Sequence, residues 1–203
     1  KKIDMPYKNQ IKTKDVKGIY LSTLTNNIIL IDKENGGKAD ALNAGINMAN
    51  YPLITAIDAD SIIERNSLVK VVRPFVEDSS VVVSGGIVRP VNDVVINKGY
   101  IEKIKLGEKT LVRFQIVEYL RAFLFGRIGW AELNCLMIIS GAFGVFDKKV
   151  VIQAGGYSKD TIGADMEHVV KIQRMMIESK RKYKIVFVPD PVCWTQGADE
   201  RGI

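Results

Sequence analysis

Hydrophobic residues recur along the chain with two different periods, and the elements they predict alternate. Ile28 to Ile31 is a short β-branched run closed by Asp32-Lys33-Glu34-Asn35-Gly36-Gly37, a turn composition. From Lys38 to Asn50 the apolar positions Ala41, Leu42, Ile46 and Ala49 fall at helical spacing, and Tyr51-Pro52 stops the helix. Leu53-Ile54-Thr55-Ala56-Ile57 reads as an apolar strand covered on both faces. Strand, helix and strand over Ile28 to Ile57 predict a parallel pair with a crossover helix, and hence an α/β sandwich. Further on, the pattern predicts a helix over Ser67–Phe75, a strand over Val81–Val88, and a long amphipathic helix over Lys109–Gly126. That helix carries Phe114, Val117, Leu120, Leu124 and Phe125, and its aromatics are assigned to the core. A strand at Leu136–Ile139, a helix at Asp165–Glu178 and a last strand at Ile185–Val188, ended by Pro189, complete the series. Met166, Val169, Val170, Met176 and Ile177 make one face of the second long helix. Before Asn27 the chain is polar, with weak alternation around Ile19-Tyr20-Leu21, which predicts a frayed lead-in over residues 1–26 and one ordered domain over 27–203.

Composition narrows the classes. With 203 residues, 47% hydrophobic content and ordinary Gly and Pro usage, the chain is neither disordered nor fibrous. Cys135 and Cys193 stand far apart and His168 is the only histidine, so neither a disulfide framework nor a zinc site is indicated. The net charge of +6 suits phosphate groups, a membrane surface or a polyanion. The basic residues are dispersed, however, and the densest run, Lys180-Arg181-Lys182, reads as a solvated helix end, which argues against nucleic acid. The longest apolar stretch, Leu133 to Phe146, holds Asn134 and Ser140 and falls short of the ~18 residues a spanning helix needs. It reads as a buried strand. No signal segment opens the sequence at Lys1, which points to a piece of something longer.

In open α/β sheets ligands sit beyond the carboxyl ends of strands. Asp58-Ala59-Asp60 follows the strand ending at Ile57, and two carboxylates in one turn can face a single divalent ion such as Mg²⁺ or Mn²⁺. They can equally cap the turn that follows. Gly36-Gly37-Lys38 can let backbone approach a phosphate at a helix start, or simply turn the chain; its spacing matches neither the dinucleotide fingerprint nor the P-loop. Asp165 stands at a helix start, where Asp is also an ordinary cap. His168 can act as a base but reads as a surface or partly packed residue, and Ser140-Gly141-Ala142-Phe143-Gly144 is a small-residue turn.

Taken in order, six blocks carry a resemblance. They are Asn35-Gly36-Gly37-Lys38-Ala39-Asp40-Ala41-Leu42-Asn43-Ala44-Gly45, Ile57-Asp58-Ala59-Asp60-Ser61, Glu118-Tyr119-Leu120-Arg121-Ala122-Phe123, Ser140-Gly141-Ala142-Phe143-Gly144, Gly163-Ala164-Asp165-Met166-Glu167 and Cys193-Trp194-Thr195. Together they resemble the family 2 glycosyltransferases, in particular the processive polysaccharide-synthase branch of poly-N-acetylglucosamine, cellulose and hyaluronan synthases. The resemblance implies a GT-A type α/β sandwich with a mostly parallel central sheet and inverting transfer of a sugar from a nucleotide diphosphate, usually UDP. By the same resemblance Lys38 and Asp58 line the nucleotide-sugar site, and Asp60 holds Mg²⁺ or Mn²⁺. Asp165 is the general base, and Ser140, Gly141 and Trp194 shape the acceptor channel. The implied partners are a nucleotide-sugar donor and a glycan or lipid-linked acceptor, with no nucleic acid. The family's first two strands do not precede Lys1, nor does its Gln-x-x-Arg-Trp block precede Ile203. The expectation is therefore a fragment of a catalytic domain with its N-terminal strands missing and with little activity alone. Its unpaired strand edges would make a homo-oligomer, and the parent would be held at the cytoplasmic face of the plasma membrane by segments outside this chain. Ala164 replaces the family's usual Glu and Gln196 an acid, which leaves a degenerate nucleotide-sugar sensor as the alternative. A nicotinamide dehydrogenase shares the α/β pattern but needs a GxGxxG turn that is absent.

Overall fold

Polar residues dominate the first 25 positions, yet backbone pairing orders them, which corrects the expected frayed lead-in. The computed structural model describes residues 1–25, 27–90, 94–97, 100–104, 110–159, 161 and 163–195. Strand β1 (Lys2–Ile3), β2 (Val16–Leu21) and β3 (Ile29–Lys33) form an antiparallel sheet in that order, with Tyr20 opposite Lys2 on one side and Leu30 on the other. The expected parallel pairing of β3 across the following helix is not made. A short connection favours antiparallel pairing of neighbours, so β3 folds back on β2 instead.

Helix α1 (Gly37–Met48) and strands β4 (Leu53–Ala56) and β5 (Ile62–Ile63) follow, then α2 (Ser67–Glu77) and β6 (Val81–Pro90). A hairpin of β7 (Val94–Asn97) and β8 (Tyr100–Ile104) leads to α3 (Thr110–Leu120), a π-helical turn over Arg121–Gly126, and α4 (Arg127–Glu132). Strand β9 (Gly144–Asp147), α5 (Lys148–Gln153), α6 (Ala164–Glu178) and β10 (Lys184–Thr195) complete the chain. These elements form two compact units, residues 1–54 with 147–179 and residues 55–146 with 180–203. Among the described residues no helix is long and apolar enough to cross a membrane.

The second unit is built on a sheet ordered β4-β9-β6-β10-β5, and the chain passes between units within β4, at the end of β9 and between α6 and β10. The sheet is mixed: β10 runs parallel to β6, with Trp194 beside Arg89, and antiparallel to β5, with Trp194 beside Ile62, while β9 is antiparallel to β6. Val81 to Val88 are all buried, the behaviour of a central strand. β4 is the sheet's edge, so Thr55 is exposed where burial on both faces was expected. β10 does not end at Pro189; its register slips between Phe187 and Val192, where the prolines cannot donate to the ladder, and pairing resumes.

The stretch Leu136–Ile139 is not a strand. Leu136 and Ile139 are buried in irregular chain, and a Cβ at either Gly85 or Gly144, which face each other across β6 and β9, would come within 2.6 Å of Ile139. The two glycines therefore make the seat on which Ile139 rests. Phe114, Val117, Leu120, Leu124 and Phe125 are exposed rather than core, and Phe123 is the buried ring of that helical run. On α6 the buried face is His168, Val169, Ile172 and Met176, with Met166, Val170 and Ile177 exposed.

In the first unit, α1 buries polar side chains: Asp40, Asn43 and Asn47 are as enclosed as Ala44 and Ile46. Each satisfies a segment distant in sequence. The Asn47 side chain accepts from the Ile11 amide at 2.9 Å and donates to the Ile11 carbonyl at 2.8 Å, while also donating to the Tyr7 hydroxyl at 3.0 Å. Asn43 does the same for Tyr157, accepting at 2.8 Å and donating at 2.9 Å. Asp40 accepts from the Lys14 amide at 3.1 and 3.3 Å and pairs with the ammonium groups of Lys33 and Lys159. Burial alone would raise its carboxyl; the two lysines and the Lys14 amide outweigh that and hold it down at about 2. Its contribution to stability is full above its ordinary value of 3.8 and is lost as pH falls towards about 2.

These bonds also explain two glycines. A Cβ at Gly36 would meet the Asp40 carboxyl carbon at 2.5 Å, and one at Gly156, whose φ is +69°, would meet Asn43 Oδ1 at 2.5 Å. Replacing Asn43 by Ala leaves a buried amide and carbonyl unpaired, and replacing Asp40 by Ala strips two lysines of their counter-charge. Each change is expected to cost about 2–4 kcal/mol in urea denaturation. A loss within the ~0.5 kcal/mol typical of surface substitutions would contradict this account of α1.

Candidate functional site

The side chains singled out in the sequence divide between the two units: Lys38 and Asp165 lie in the first, and Asp58, Asp60, Ser140, Gly141 and Trp194 in the second. Lys38 is exposed at the second position of α1, which begins where Asn35 Oδ1 accepts from the Gly37 amide at 3.0 Å and Gly37 adopts φ +81°. The Gly-Gly pair thus turns the chain into the helix, and Asp40 one turn on fixes that entry.

Asp165 occupies the second position of α6, after Gly163 in the left-handed conformation. The first two turns of α6 are fastened to residues 156–158. Ser158 donates to Glu167 at 2.8 Å, and Lys171 donates to the Gly156 carbonyl at 2.5 Å and to Ser158 at 3.1 Å. His168 stacks on Tyr157 with ring centroids 4.0 Å apart and planes 20° apart. Tyr157 is the residue whose backbone Asn43 holds, so the helix bearing Lys38 and the helix bearing Asp165 are both secured to one short segment. Burial, and then the Asp165 carboxylate nearby, push the Tyr157 phenol above its ordinary range.

His168 is fully buried, not a surface residue. Burial first, then repulsion from Lys171, hold its imidazole down at about 4, against a pull from the Gly156 backbone. A neutral, stacked imidazole in the core is a packing residue.

In the second unit Asp58 and Asp60 flank a turn in which the Ser61 amide donates to the Asp58 carbonyl at 3.0 Å. Asp58 is half-buried and Asp60 exposed. Beside them is the buried Cys193, whose thiol is pushed up to about 11 by burial; the Ser61 hydroxyl works against the shift, and the carboxylates of Asp58 and Asp60 add to it. Both carboxylates thus lie within electrostatic reach of that thiol. The same thiol donates to the Ala142 carbonyl at 3.6 Å, and the Ala142 amide donates to the Ser140 hydroxyl at 3.4 Å. The Ser140-Gly141 turn, following Ile139 on its glycine seat, is thereby tied to β10 at Cys193.

Trp194, one residue on, is only 5% exposed, with the Arg89 guanidinium carbon 5.7 Å from its ring centroid. Its indole N–H has no partner among the described residues. Asp58 and Asp60 offer the oxygen donors that Mg²⁺ and Mn²⁺ prefer, and two carboxylates suit an ion whose other ligands come from phosphate and water. Among the described residues no group of three or more His, Cys, Asp or Glu side chains could hold a metal ion. Gln196 lies outside the described residues.

Residues 16–150 match the family model of Glycosyl transferase family 2, and the chain belongs to that family. It is 30% identical over 179 residues to the poly-beta-1,6-N-acetyl-D-glucosamine synthase of Staphylococcus aureus (strain COL), an alignment covering 87% of this chain and 38% of that protein. The corresponding synthase of Staphylococcus epidermidis is 27% identical over the same length. The chain thus spans 38% of the length of the curated relatives it matches. A mannosyltransferase from Pyrobaculum calidifontis, solved in complex with GDP-Man and Mn²⁺, superposes with a TM-score of 0.54 at 21% identity over 84% of this chain and 39% of that one. The fold is accordingly of the GT-A glycosyltransferase type. The family match takes in Lys38, Asp58, Asp60, Ser140 and Gly141 and ends before Asp165 and Trp194.

The sequence reading passed over Asp40, Asn43, Asn47, Tyr157 and Cys193. A signal was present for three of them: Asp40, Asn43 and Asn47 recur at i, i+3 and i+7, a polar stripe at helical spacing.

The buried His168 has a measurable consequence. Between about pH 6.5 and about 4 the unfolded chain takes up a proton that the folded protein refuses, so stability is full above that window and falls as pH is lowered through it, by about 3 kcal/mol. In His168→Phe this part of the pH dependence is expected to vanish in denaturation curves compared at pH 7 and 4. Parallel pH profiles for the two proteins would contradict the burial of a neutral imidazole.

Proposed function

We propose that this chain is the sugar-transferring part of a nucleotide-sugar glycosyltransferase that extends a cell-surface polysaccharide, with a UDP-sugar as donor. The observation that carries the reading is the pair of carboxylates, Asp58 and Asp60, in one turn just past the sheet strand β4, in a chain of family 2. Asp58 contacts the donor nucleotide or sugar, and Lys38 adds positive charge for its diphosphate. Asp60 would hold Mg²⁺ or Mn²⁺, which would supply positive charge against that growing on the leaving diphosphate. Ser140, Gly141 and Trp194 shape the channel for the acceptor, a glycan or lipid-linked hydroxyl.

Asp165 is the general base. It takes the proton from the acceptor hydroxyl as that oxygen bonds to the anomeric carbon and the bond from that carbon to the diphosphate oxygen breaks, releasing the nucleoside diphosphate. A single displacement of this kind inverts the anomeric configuration. The relatives' activity belongs to polypeptides much longer than this chain, so turnover is expected of the longer parent and little of these 203 residues alone. We place the parent at the cytoplasmic face of the plasma membrane, where nucleotide sugars are made available.

In the parent, Asp165→Asn is expected to lower turnover by about 10²–10⁴-fold, the usual contribution of a positioned base, while UDP-sugar binding is retained. A parent that itself transfers no sugar would favour the degenerate sensor instead. With this chain, Mn²⁺ and UDP together are expected to raise the thermal midpoint, and Asp60→Asn to remove most of that rise. Equal stabilisation of both proteins would rule out Asp60 as the ion's ligand.

A further inference from the structure

The first unit holds a cavity of about 540 Å³ that none of the residues assigned to the reaction lines. Its walls are the N-terminal stretch from Met5 to Gln10, the end of α1, the turn Asn50-Tyr51-Pro52 and the start of α5. The volume is that of a small-molecule pocket. Buried bonds fix the walls. Asn47 holds the Ile11 backbone and the Tyr7 hydroxyl, which seats the N-terminal stretch on α1. The Lys148 amide donates to the Pro52 carbonyl at 2.8 Å and its ammonium donates to the Ala49 carbonyl, which ties α5 to the turn.

The charge of the lining has one sign. Lys8, Lys148 and Lys149 line the cavity, and among the described residues no Asp or Glu does. Nor does any described carboxylate pair with one of the three. Burial, and then repulsion from Lys8, pull the Lys148 ammonium below its ordinary value, so these two charges feel each other. Like charges gathered at one cavity are unfavourable until an anion binds among them. Lys148 is half-buried and engaged by the Ala49 carbonyl, whereas Lys8 and Lys149 are exposed and can turn to a ligand. An ammonium on a flexible stem is a common partner of phosphate.

The rest of the lining suits a ring. Tyr51 is 79% exposed, and Met48, Pro52 and Ile152 add apolar surface beside it. A tyrosine face accepts any nucleobase by stacking.

We propose that this cavity binds a nucleoside phosphate, with its phosphates at Lys8 and Lys149 and its base against Tyr51, at a site separate from the donor's. The turn at Tyr51 precedes β4, whereas Asp58 and Asp60 follow that strand. The cavity supplies no carboxylate for a divalent ion, so binding here needs no metal. A ligand that bridges Lys8 and Lys149 joins the N-terminal stretch to α5 and stabilises the first unit.

The test is calorimetric titration of the 203-residue chain with ADP and with pyrophosphate, in EDTA so that no divalent ion is present. The expected result is saturable binding of both, ADP the tighter, weakened by salt. Lys8→Gln and Lys149→Gln are each expected to weaken both ligands by at least about fivefold. Tyr51→Ala is expected to weaken ADP by at least about fivefold and pyrophosphate by less than about twofold. Asp60→Asn is expected to change neither. All four side chains are exposed, and an unchanged thermal midpoint without ligand shows that each variant is folded. No saturable binding, or wild-type affinity in folded Lys8→Gln and Lys149→Gln, would overturn the proposal. So would loss of ADP binding in Asp60→Asn, which would put the nucleotide at the donor site. Equal affinities for ADP and pyrophosphate would also overturn it, since the cavity would then take phosphate without a base.

Discussion

The first unit depends on the fact that α1 buries amides and a carboxylate where an ordinary amphipathic helix buries aliphatic groups. A buried polar group is tolerable only when bonded, and each of these is bonded in a way that fixes another part of the chain. Asn43 and Asn47 copy a strand's hydrogen-bonding pattern, each offering one donor and one acceptor to the backbone of a single residue. Asp40 gathers two lysines and an amide. Segments with almost no regular structure, around Ile11, Lys14 and Tyr157, are held as firmly as strands. The cost of getting this wrong is what makes the packing specific, because a shifted helix would leave several buried groups unpaired at once.

That constraint reaches the residues proposed for the chemistry through the segment from Gly156 to Lys159. Asn43 holds Tyr157 and Asp40 holds Lys159 from the α1 side. From the α6 side, His168 stacks on Tyr157, and Glu167 and Lys171 engage Ser158. Asp165 and Lys38 each stand at the second position of a helix anchored there, so neither helix can shift without disturbing the same buried bonds. In the second unit the corresponding device is smaller. The Gly85 and Gly144 pair seats Ile139, and Cys193 ties the Ser140 turn to β10 through the Ala142 carbonyl.

Much of this could be read from the chain and some of it could not. Turn chemistry at Asn35-Gly36-Gly37 and the stop at Tyr51-Pro52 located α1 to within two residues, and the apolar run at Val81 located β6. Motif order gave the family. Periodicity failed where burial and hydrophobicity part company. In α1 the buried stripe is polar, and in α3 and the π-helical turn Phe114, Val117, Leu120, Leu124 and Phe125 are exposed, so a rule that places apolar residues inside misassigned both. It also failed where pairing is decided by distant chain. Residues 1–25 look frayed because the groups that order them, Asn47 and Asp40, lie 26 to 36 positions away. The single histidine was misplaced for a related reason: nothing local reveals that Tyr157 waits to stack on it.

Native-state hydrogen exchange at the Ile11 and Tyr157 amides tests the central claim most directly. Both lie outside helices and strands and are bonded only to the side chains of Asn47 and Asn43. If α1's buried polar face holds the unit together, these two amides exchange as slowly as those of Ile172 in the core of α6, through the same global opening. Exchange at the fast rate of an exposed loop, with the α6 core still protected, would show that the unit is held by apolar packing alone and that the asparagines merely follow it.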